Sequence, residues 1–177
     1  MYALDAETGQ KHWSYETDAE IISSPAVVSD TVYIGSYDGQ MYALNTSDGS
    51  VRWTFETDGQ IGATPAVVDN TVYFGSTDST LYALDAATGT ERWSRELESM
   101  ESSPTVLDGV VYVTSGYDLA ATLGGCWGLD AESGEVLFGW KTVTIPGAAA
   151  VVNGAMYVAS NTPSGGGYST VSMLVEE

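Results

Sequence analysis

Residue types that carry acid–base, nucleophilic or metal chemistry are few in this chain of 177 residues. A single histidine, His12, and a single cysteine, Cys126, cannot form the cluster of ligands that a zinc site requires. No Gly-x-Ser-x-Gly motif indicates a Ser-His-Asp hydrolase. We expect His12 to lie at the surface of an outer strand and Cys126 to be a small buried apolar residue. No residue is therefore assigned a catalytic, cofactor-binding or metal-binding role.

Carboxylates are abundant, but they fall mainly in turns. The chain has 24 Asp and Glu against five Lys and Arg, which gives a formal net charge of −19. No Asp-x-Asp-x-Asp-Gly calcium loop occurs among them. The shortage of cations argues against binding to nucleic acid or to an anionic membrane surface. Because self-repulsion of this size is screened at molar salt, the composition predicts a halophilic, acidic protein.

Neither membrane insertion nor a compartment is indicated by the segment. No stretch approaches the roughly 20 apolar residues that span a bilayer, so we expect no membrane insertion by this segment. Met1–Asp5 lacks the basic and apolar regions of a signal peptide. The lone cysteine cannot form an internal disulfide and leaves the redox compartment open.

One repeat recurs four times, in copies that start near residues 2, 42, 82 and 127. Each copy has a small residue before Leu-Asp or Leu-Asn, then a turn glycine and a large aromatic residue. The residues that we assign to docking between units are Ala3, Gly9, Trp13, Ala43, Gly49, Trp53, Ala83, Gly89, Trp93, Gly134 and Phe138. The glycine is expected to open a backbone angle, the ring to cover the seam between units, and the alanine to leave room for the ring. In the fourth copy, either Phe138 docks more loosely or Trp140 replaces it.

Each copy holds four short segments rich in Val, Ile, Tyr, Thr and Trp, separated by Gly, Asp, Asn and Ser turns. No window of a dozen residues has a helical period. Four strands in about 40 residues predict an all-β propeller of about four four-stranded antiparallel blades. An immunoglobulin-like sandwich does not explain the internal period. We expect one domain over residues 1–177, with Gly116 to Cys126 as its one irregular long loop.

The predicted strand order does not close neatly into a ring. The chain opens on a third strand (Tyr2 to Asp5) and a fourth strand (Lys11 to Glu16) of a blade. The segment 169–175 reads as a further third strand, with Leu174 in the place of Leu4. Three arrangements remain open: a closed four-blade ring, two chains joined as a symmetric eight-bladed ring, and a fragment of a longer array.

The pattern Ala-Leu-Asp-x-x-Thr-Gly-x-x-x-Trp, present at 3–13 and 83–93, resembles the tryptophan-docking motif of PQQ-like repeats. Such repeats build the propellers of quinoprotein dehydrogenases and of outer-membrane assembly lipoproteins. Because these relatives usually have seven or eight blades, the resemblance favours a half or fragment of such a ring, or a two-fold dimer, over a closed four-blade ring.

The resemblance implies two functions. The first is a non-catalytic protein-binding or scaffold module without a cofactor, in an extracytoplasmic or cell-surface setting. The alternative is a fragment of a PQQ-dependent quinoprotein dehydrogenase, which would use PQQ with calcium and catalytic residues outside this chain. Such enzymes carry a vicinal cysteine pair against the cofactor, and Cys126 is single. A sensor domain of a signalling protein has no support in these residues.

Overall fold

The computed structural model describes residues 1–97, 102–115, 124–142, 145–152, 155–161 and 169–175. These residues form five antiparallel sheets, and the strands follow one another along the chain. The first sheet has two strands, β1 (Tyr2–Leu4) and β2 (Lys11–Ser14). The next three have four strands each, and the last has three.

The four-stranded sheets have one plan. Sheet 2 contains β3 (Ala26–Val28), β4 (Thr31–Gly35), β5 (Gln40–Asn45) and β6 (Val51–Glu56). Sheet 3 contains β7 (Ala66–Val68), β8 (Thr71–Gly75), β9 (Thr80–Asp85) and β10 (Glu91–Glu96). Sheet 4 contains β11 (Thr105–Leu107), β12 (Val110–Ser115), β13 (Gly124–Asp130) and β14 (Val136–Thr142). Sheet 5 contains β15 (Ile145–Val152), β16 (Ala155–Asn161) and β17 (Ser169–Val175).

The prediction of an all-β propeller made of four-stranded antiparallel blades is confirmed. The short first strands β3, β7 and β11 approach one another, and each sheet extends outward from them to its fourth strand. In the described residues the arrangement is open, because sheets 1 and 5 are not paired with each other. The strands of sheet 1 are equivalent to the third and fourth strands of a four-stranded sheet. Those of sheet 5 are equivalent to the first three.

The core lies between neighbouring sheets. Tyr33, Ala43 and Trp53 on one face of sheet 2 pack against Val72 and Leu84 on the facing side of sheet 3. The same pairing of faces joins sheet 1 to sheet 2, sheet 3 to sheet 4, and sheet 4 to sheet 5. The second strands are the most buried, with every residue of β4 and β8 inside. On the outer strand β10 only the tryptophan is buried.

One segment differs from its predicted structure. The sequence predicts a loop from Gly116 to Cys126, but Gly124, Gly125 and Cys126 lie in β13. Gly125 and Cys126 are paired with both β12 and β14, and Gly124 is paired with β14. The two neighbouring strands fix the position of Gly125 and Cys126, because backbone groups in the middle of a sheet pair on both sides. The remainder of that segment lies outside the described residues. Cys126 is fully buried between sheets 4 and 5, as expected for a small apolar residue.

Candidate interaction surfaces

Each tryptophan of the repeat lies on the glycine turn of the following sheet. A Cβ built on Gly49 would fall 2.5 Å from the ring of Trp13, and one on Gly89 would fall 2.6 Å from the ring of Trp53. Trp93 occupies the same position over Gly134. All of these glycines have positive φ, between 70° and 72°. The turn therefore needs glycine for its backbone angle and also for the close approach of an aromatic ring.

A backbone carbonyl in the same turn accepts two hydrogen bonds across the seam. The indole N–H of Trp53 donates to the carbonyl of Ala86 at 3.0 Å, and the hydroxyl of Tyr33 donates to the same oxygen at 3.0 Å. Trp93 and Tyr73 donate to the carbonyl of Ala131 in the same way, each at 3.0 Å. The tyrosines were not among the predicted docking residues. Their recurrence in phase with the tryptophans was the sequence signal that pointed to them.

The alanines of the repeat pair with its tryptophans across adjacent strands. Ala3, Ala43 and Ala83 lie directly opposite Trp13, Trp53 and Trp93 across the third and fourth strands. The pairing contains a bulge, so that one extra residue of the outer strand follows each turn. These extra residues are His12, Arg52 and Arg92.

The bulge residues interact with carboxylates of the turns. Arg92 lies 2.8 Å from Asp85, and His12, with a largely exposed side chain, lies 3.6 Å from Asp5. Arg92 lowers the pKa of Asp85, and the Thr8 hydroxyl lowers the pKa of Asp5 by donating a hydrogen bond to it. Asp5 also accepts bonds from the backbone N–H groups of the next turn residues, which fixes the shape of the turn.

In the fourth copy, several side chains differ in size from their equivalents in the earlier copies. Trp127 stands where earlier copies have tyrosine, and its ring lies against Gly125 and Gly139. Phe138 lies opposite Gly128, where an added Cβ would fall 2.2 Å from its ring. Trp140 is 43% exposed, whereas Phe138 is half-buried and packs against the cluster of Cys126, Met156 and Val158 between sheets 4 and 5.

At the other end of the sheets, an aspartate joins neighbouring sheets. The carboxylate of Asp38 accepts hydrogen bonds from the Tyr42 hydroxyl at 2.9 Å and from the backbone N–H of Asp18 at 3.0 Å. In sheet 3, the hydroxyl of Tyr82 donates a hydrogen bond to the carboxylate of Asp78 in the same way, at 2.9 Å. Burial, followed by the bond to Asp78, raises the pKa of Tyr82 to about 12.

Two clefts lie between sheets 2 and 3, one at each end. The turn cleft has a volume of about 270 Å³ and is lined by Val28, Asp30, Arg52, Val67, Asp69 and Ala86. The loop cleft has a volume of about 350 Å³ and is lined by Tyr37, Asp38, Thr57, Asp58, Gln60 and Thr77. In the turn cleft, Asp30 is paired with Arg52, and Asp69 is exposed.

A third surface, the open edge, is the side of β1 that faces away from β2. Among the described residues β1 pairs with β2 alone. Tyr2 and Leu4 on this strand are 69% and 57% exposed. Beside them lies a cleft of about 370 Å³ that includes Tyr15, Glu16 and Ile21 in its lining.

In the part of the chain that the structure describes, no three His, Cys, Asp or Glu side chains are grouped so that they could hold a metal ion. The same residues contain no helix with the length and apolarity to cross a membrane.

Comparison with known proteins gives one family and several solved structures. The family model described as outer membrane protein assembly factor BamB matches residues 1–62 and 56–170. The structure of BamB from Moraxella catarrhalis is similar with a TM-score of 0.70 at 20% identity, over 94% of this chain and 54% of that one. No curated protein sequence matches the chain.

Two further solved structures share the fold. The quinohemoprotein alcohol dehydrogenase ADHIIG from Pseudomonas putida HK5 has a TM-score of 0.75 at 21% identity, over 84% of this chain and 30% of that one. The computationally designed protein Ika8 has a TM-score of 0.79 at 16% identity, over 99% of this chain and 52% of that one. The chain thus spans about half or less of the length of these proteins.

Proposed function

We propose that this chain, which belongs to the family of the outer membrane protein assembly factor BamB, is a non-catalytic propeller module that binds a protein partner. The turn cleft is the observation that carries the proposal. It combines the half-buried Val67 and the exposed Val28 with the exposed carboxylates of Asp30 and Asp69. An apolar floor with charge at its rim suits an extended polypeptide segment.

The partner segment is expected to carry basic residues. Asp30 already has Arg52 as a partner, whereas Asp69 extends from a turn into solvent. The chain as a whole has a net charge of −19. Lysine or arginine side chains beside apolar residues would complement both the rim and the field of the whole molecule, which also accelerates association.

The reactive side chains favour a non-catalytic role. His12 is a surface residue beside Asp5 and faces no cleft described above. Cys126 is fully buried, and burial raises the pKa of its thiol to about 11, so the nucleophilic thiolate is disfavoured at neutral pH. The family relationship supports an extracytoplasmic setting as part of this proposal.

The alternative is a fragment of a PQQ-dependent dehydrogenase, which the similarity to a quinohemoprotein alcohol dehydrogenase favours. The residues described here do not fit the cofactor. Cys126 has no second cysteine beside it and is enclosed between sheets. In the described part of the chain the carboxylates do not gather into a group that could hold calcium.

The proposal is tested with a displayed library of random peptides, selected on the full chain at the lowest KCl concentration that keeps it folded by tryptophan fluorescence. We expect enrichment of peptides that combine Lys or Arg with apolar residues. The Asp69→Asn variant should bind the best peptide at least about threefold more weakly, because one charge contact is lost. The matched control is Asp108→Asn, which changes the equivalent turn residue of sheet 4; Asp69 and Asp108 both have positive φ.

Two results would contradict the proposal. One is a selection without enrichment, or with peptides that bind the wild type and Asp69→Asn equally. The other is reproducible oxidation of an alcohol by the chain supplied with PQQ, calcium and an artificial electron acceptor. Such turnover would establish the dehydrogenase alternative.

A further inference from the structure

The outer edge of sheet 4, the side of β14 that faces away from β13, lacks the charges found on other fourth strands. The residues of β6 include Arg52 and Glu56, and four of the six residues of β10 are charged. From Val136 to Trp140, β14 has no charged residue, and its one charged residue is Lys141, next to its end. Charged side chains keep an edge strand from pairing with a further strand, so the outer edge of β14 is open to such pairing.

Apolar side chains are exposed on both faces of β14. Val136, Leu137 and Trp140 are 41%, 53% and 43% exposed. Directly opposite residues of adjacent strands share a face of the sheet, so Val136 lies on the face of Leu129 and Trp140 on the face of Cys126. A strand added beside β14 would therefore meet apolar groups on each of its two faces.

The exposure of these positions is a property of the repeat and does not depend on which sheet follows. Val51, the equivalent of Val136, is 43% exposed on β6, although the complete sheet 3 follows it. Arg95, the equivalent of Trp140, is exposed on β10, which the complete sheet 4 follows. What distinguishes β14 is that apolar side chains occupy several of these exposed positions.

The bulge of sheet 4 also lacks a cation. Its extra residue is Leu137. The extra residues of sheets 1, 2 and 3 are His12, Arg52 and Arg92. Arg92 lies 2.8 Å from Asp85, whereas the equivalent Asp130 accepts hydrogen bonds within its own turn, and among the described residues no cation pairs with it. Leu137 thus adds an apolar group beside a carboxylate that has no cationic partner in that part of the chain.

We propose that the outer edge of β14 binds an extended segment of a protein partner, which adds a fifth strand to sheet 4 and brings a lysine or arginine beside Asp130. Among the described residues β14 pairs with β13 alone, so its other side can form the main-chain hydrogen bonds of an added strand. The partner segment has uncharged, largely apolar residues along Val136 to Trp140 and its basic residue at the end next to the turn. This surface is separate from the turn cleft between sheets 2 and 3.

Charge distinguishes a second copy of this chain from a different partner. A second copy would bring another net charge of −19 to an edge that lies beside Asp130 and the exposed Glu132 and Glu135. A basic segment instead gains from that field, which also accelerates its association. The charges thus favour a different, basic partner, and self-association is an outcome of the test.

Selection from a displayed library of peptides of about nine residues, within the usual range of strand lengths, tests the proposal. The bait is the full chain with Asp69→Asn, which weakens binding at the turn cleft. We expect peptides with a run of apolar and uncharged residues that ends in Lys or Arg. Leu137→Arg should weaken the best peptide at least about tenfold, because it pairs with Asp130 and interrupts the apolar edge. Val51→Arg adds the same charge to β6 and should leave the affinity unchanged.

The basic residue of the partner is tested by combining two substitutions. Asp130→Asn should weaken the selected peptide at least about threefold, and it should not affect the same peptide with Gln in place of its Lys or Arg. Asparagine keeps an oxygen that can accept the turn N–H groups, and Asn45 stands at the equivalent position of sheet 2. A structural effect of the substitution would weaken both peptides. Asp85→Asn is the matched control, because Asp85 has Arg92 as its partner.

N-methylation of the peptide tests strand pairing. Only every second N–H of a strand faces a given neighbour, so methyl groups on alternate residues should abolish binding in one phase and leave it in the other. Leu137→Ser, which adds no charge, should also weaken binding. It replaces Leu137→Arg if that variant fails to fold by tryptophan fluorescence.

A selection without enrichment would overturn the proposal. Equal binding by the wild type and the Leu137 variants, equal effects of the two methylated series, or equal loss of both peptides in Asp130→Asn would do the same. So would a wild-type dimer that Leu137→Arg converts to a single chain of 18.7 kDa in sedimentation, because a second copy would then occupy the edge. Asp69→Asn leaves binding at β14 unchanged, so this proposal and that for the turn cleft fail separately.

Discussion

The turn glycines are the residues on which neighbouring sheets meet. Gly49, Gly89 and Gly134 combine a backbone angle that other residues rarely adopt with contact to a tryptophan ring. A side chain at such a position faces two separate costs. The backbone cost is about 1–2 kcal/mol for a residue forced into the left-handed region. The second cost is displacement of the ring.

The chain contains a control that separates these costs. Gly109 has a φ of 78°, and a Cβ added there would meet nothing within 4 Å. Gly109→Ala should therefore lower the free energy of unfolding by about 1–2 kcal/mol. Gly89→Ala should lower it by about 1–3 kcal/mol more, because Trp53 must move. Urea unfolding in 2 M KCl measures both; equal losses would contradict the role of Gly89 as a seat for the ring.

The turn aspartates respond to acid. The pKa of Asp85 is lowered by Arg92 and the pKa of Asp130 by the backbone N–H of Ser133. A carboxyl whose pKa is lower in the folded protein contributes stability above its unfolded pKa, about 4, and loses it as pH falls through its folded pKa. Asp85→Asn should therefore lose less stability than the wild type between pH 5 and pH 2. Urea titrations in molar KCl measure the difference, and equal losses of stability in the two proteins would contradict the prediction.

At the scale of the strands, each seam is held from two positions of the preceding sheet. Tyr33 on the second strand and Trp53 on the fourth strand reach the same carbonyl of Ala86. Their rings are 5.8 Å apart and tilted, so each also limits the orientation of the other. We propose that this pair, with the alanine opposite the tryptophan, fixes the angle between neighbouring sheets.

Truncation of a seam tryptophan should be costly. Trp53 is 8% exposed, and Trp53→Ala should lower the free energy of unfolding by about 3–5 kcal/mol. Trp140→Ala removes the same side chain from an exposed position of β14 and should cost less than about 1 kcal/mol. Urea unfolding followed by circular dichroism compares the two variants. A loss below 1 kcal/mol for Trp53→Ala would contradict a buried seam residue.

The repeat in the sequence predicted the strands but not all of their contacts. The spacing placed Trp53 opposite Ala43, because both belong to one copy. The ring of Trp53 also lies on Gly89 of the next copy, and spacing within a copy cannot say which copy a side chain reaches. For the fourth copy, the sequence predicted only that Phe138 docks more loosely or that Trp140 replaces it. Gly125 and Gly139 instead make room for Trp127, a compensation that depends on cross-strand neighbours.

At the scale of the whole molecule, charge sets the conditions for folding. The acidic residues exceed the basic ones by 19, and among the described cations Arg52 and Arg92 are paired with carboxylates. Long-range repulsion is therefore opposed mainly by ions in solution. The halophilic character stays a prediction, and it can be tested on the protein itself.

The melting temperature should rise with salt. Between 0.1 M and 2 M KCl we expect an increase of at least about 5 °C, equivalent to more than 1 kcal/mol for a chain of this size. A variant with Glu7, Asp58, Glu132 and Glu135 changed to lysine has less repulsion and should show a smaller increase. Scanning calorimetry measures both proteins. An unchanged melting temperature in the wild type would contradict the prediction.

The shared carbonyl at each seam has a consequence for how such chains lengthen. The donors Tyr33 and Trp53 belong to sheet 2, and the turn that receives them, with Ala86 and Gly89, belongs to sheet 3. Sheet 3 also supplies the donors Tyr73 and Trp93 of the next seam, so it carries both halves of the joint. Duplication of one segment of DNA encoding a single copy would create a new joint complete with donors and acceptor, without a compensating mutation elsewhere. A chain that has just gained or lost a whole blade would then keep complete seams, whereas a cut inside a copy would leave half a joint on each side.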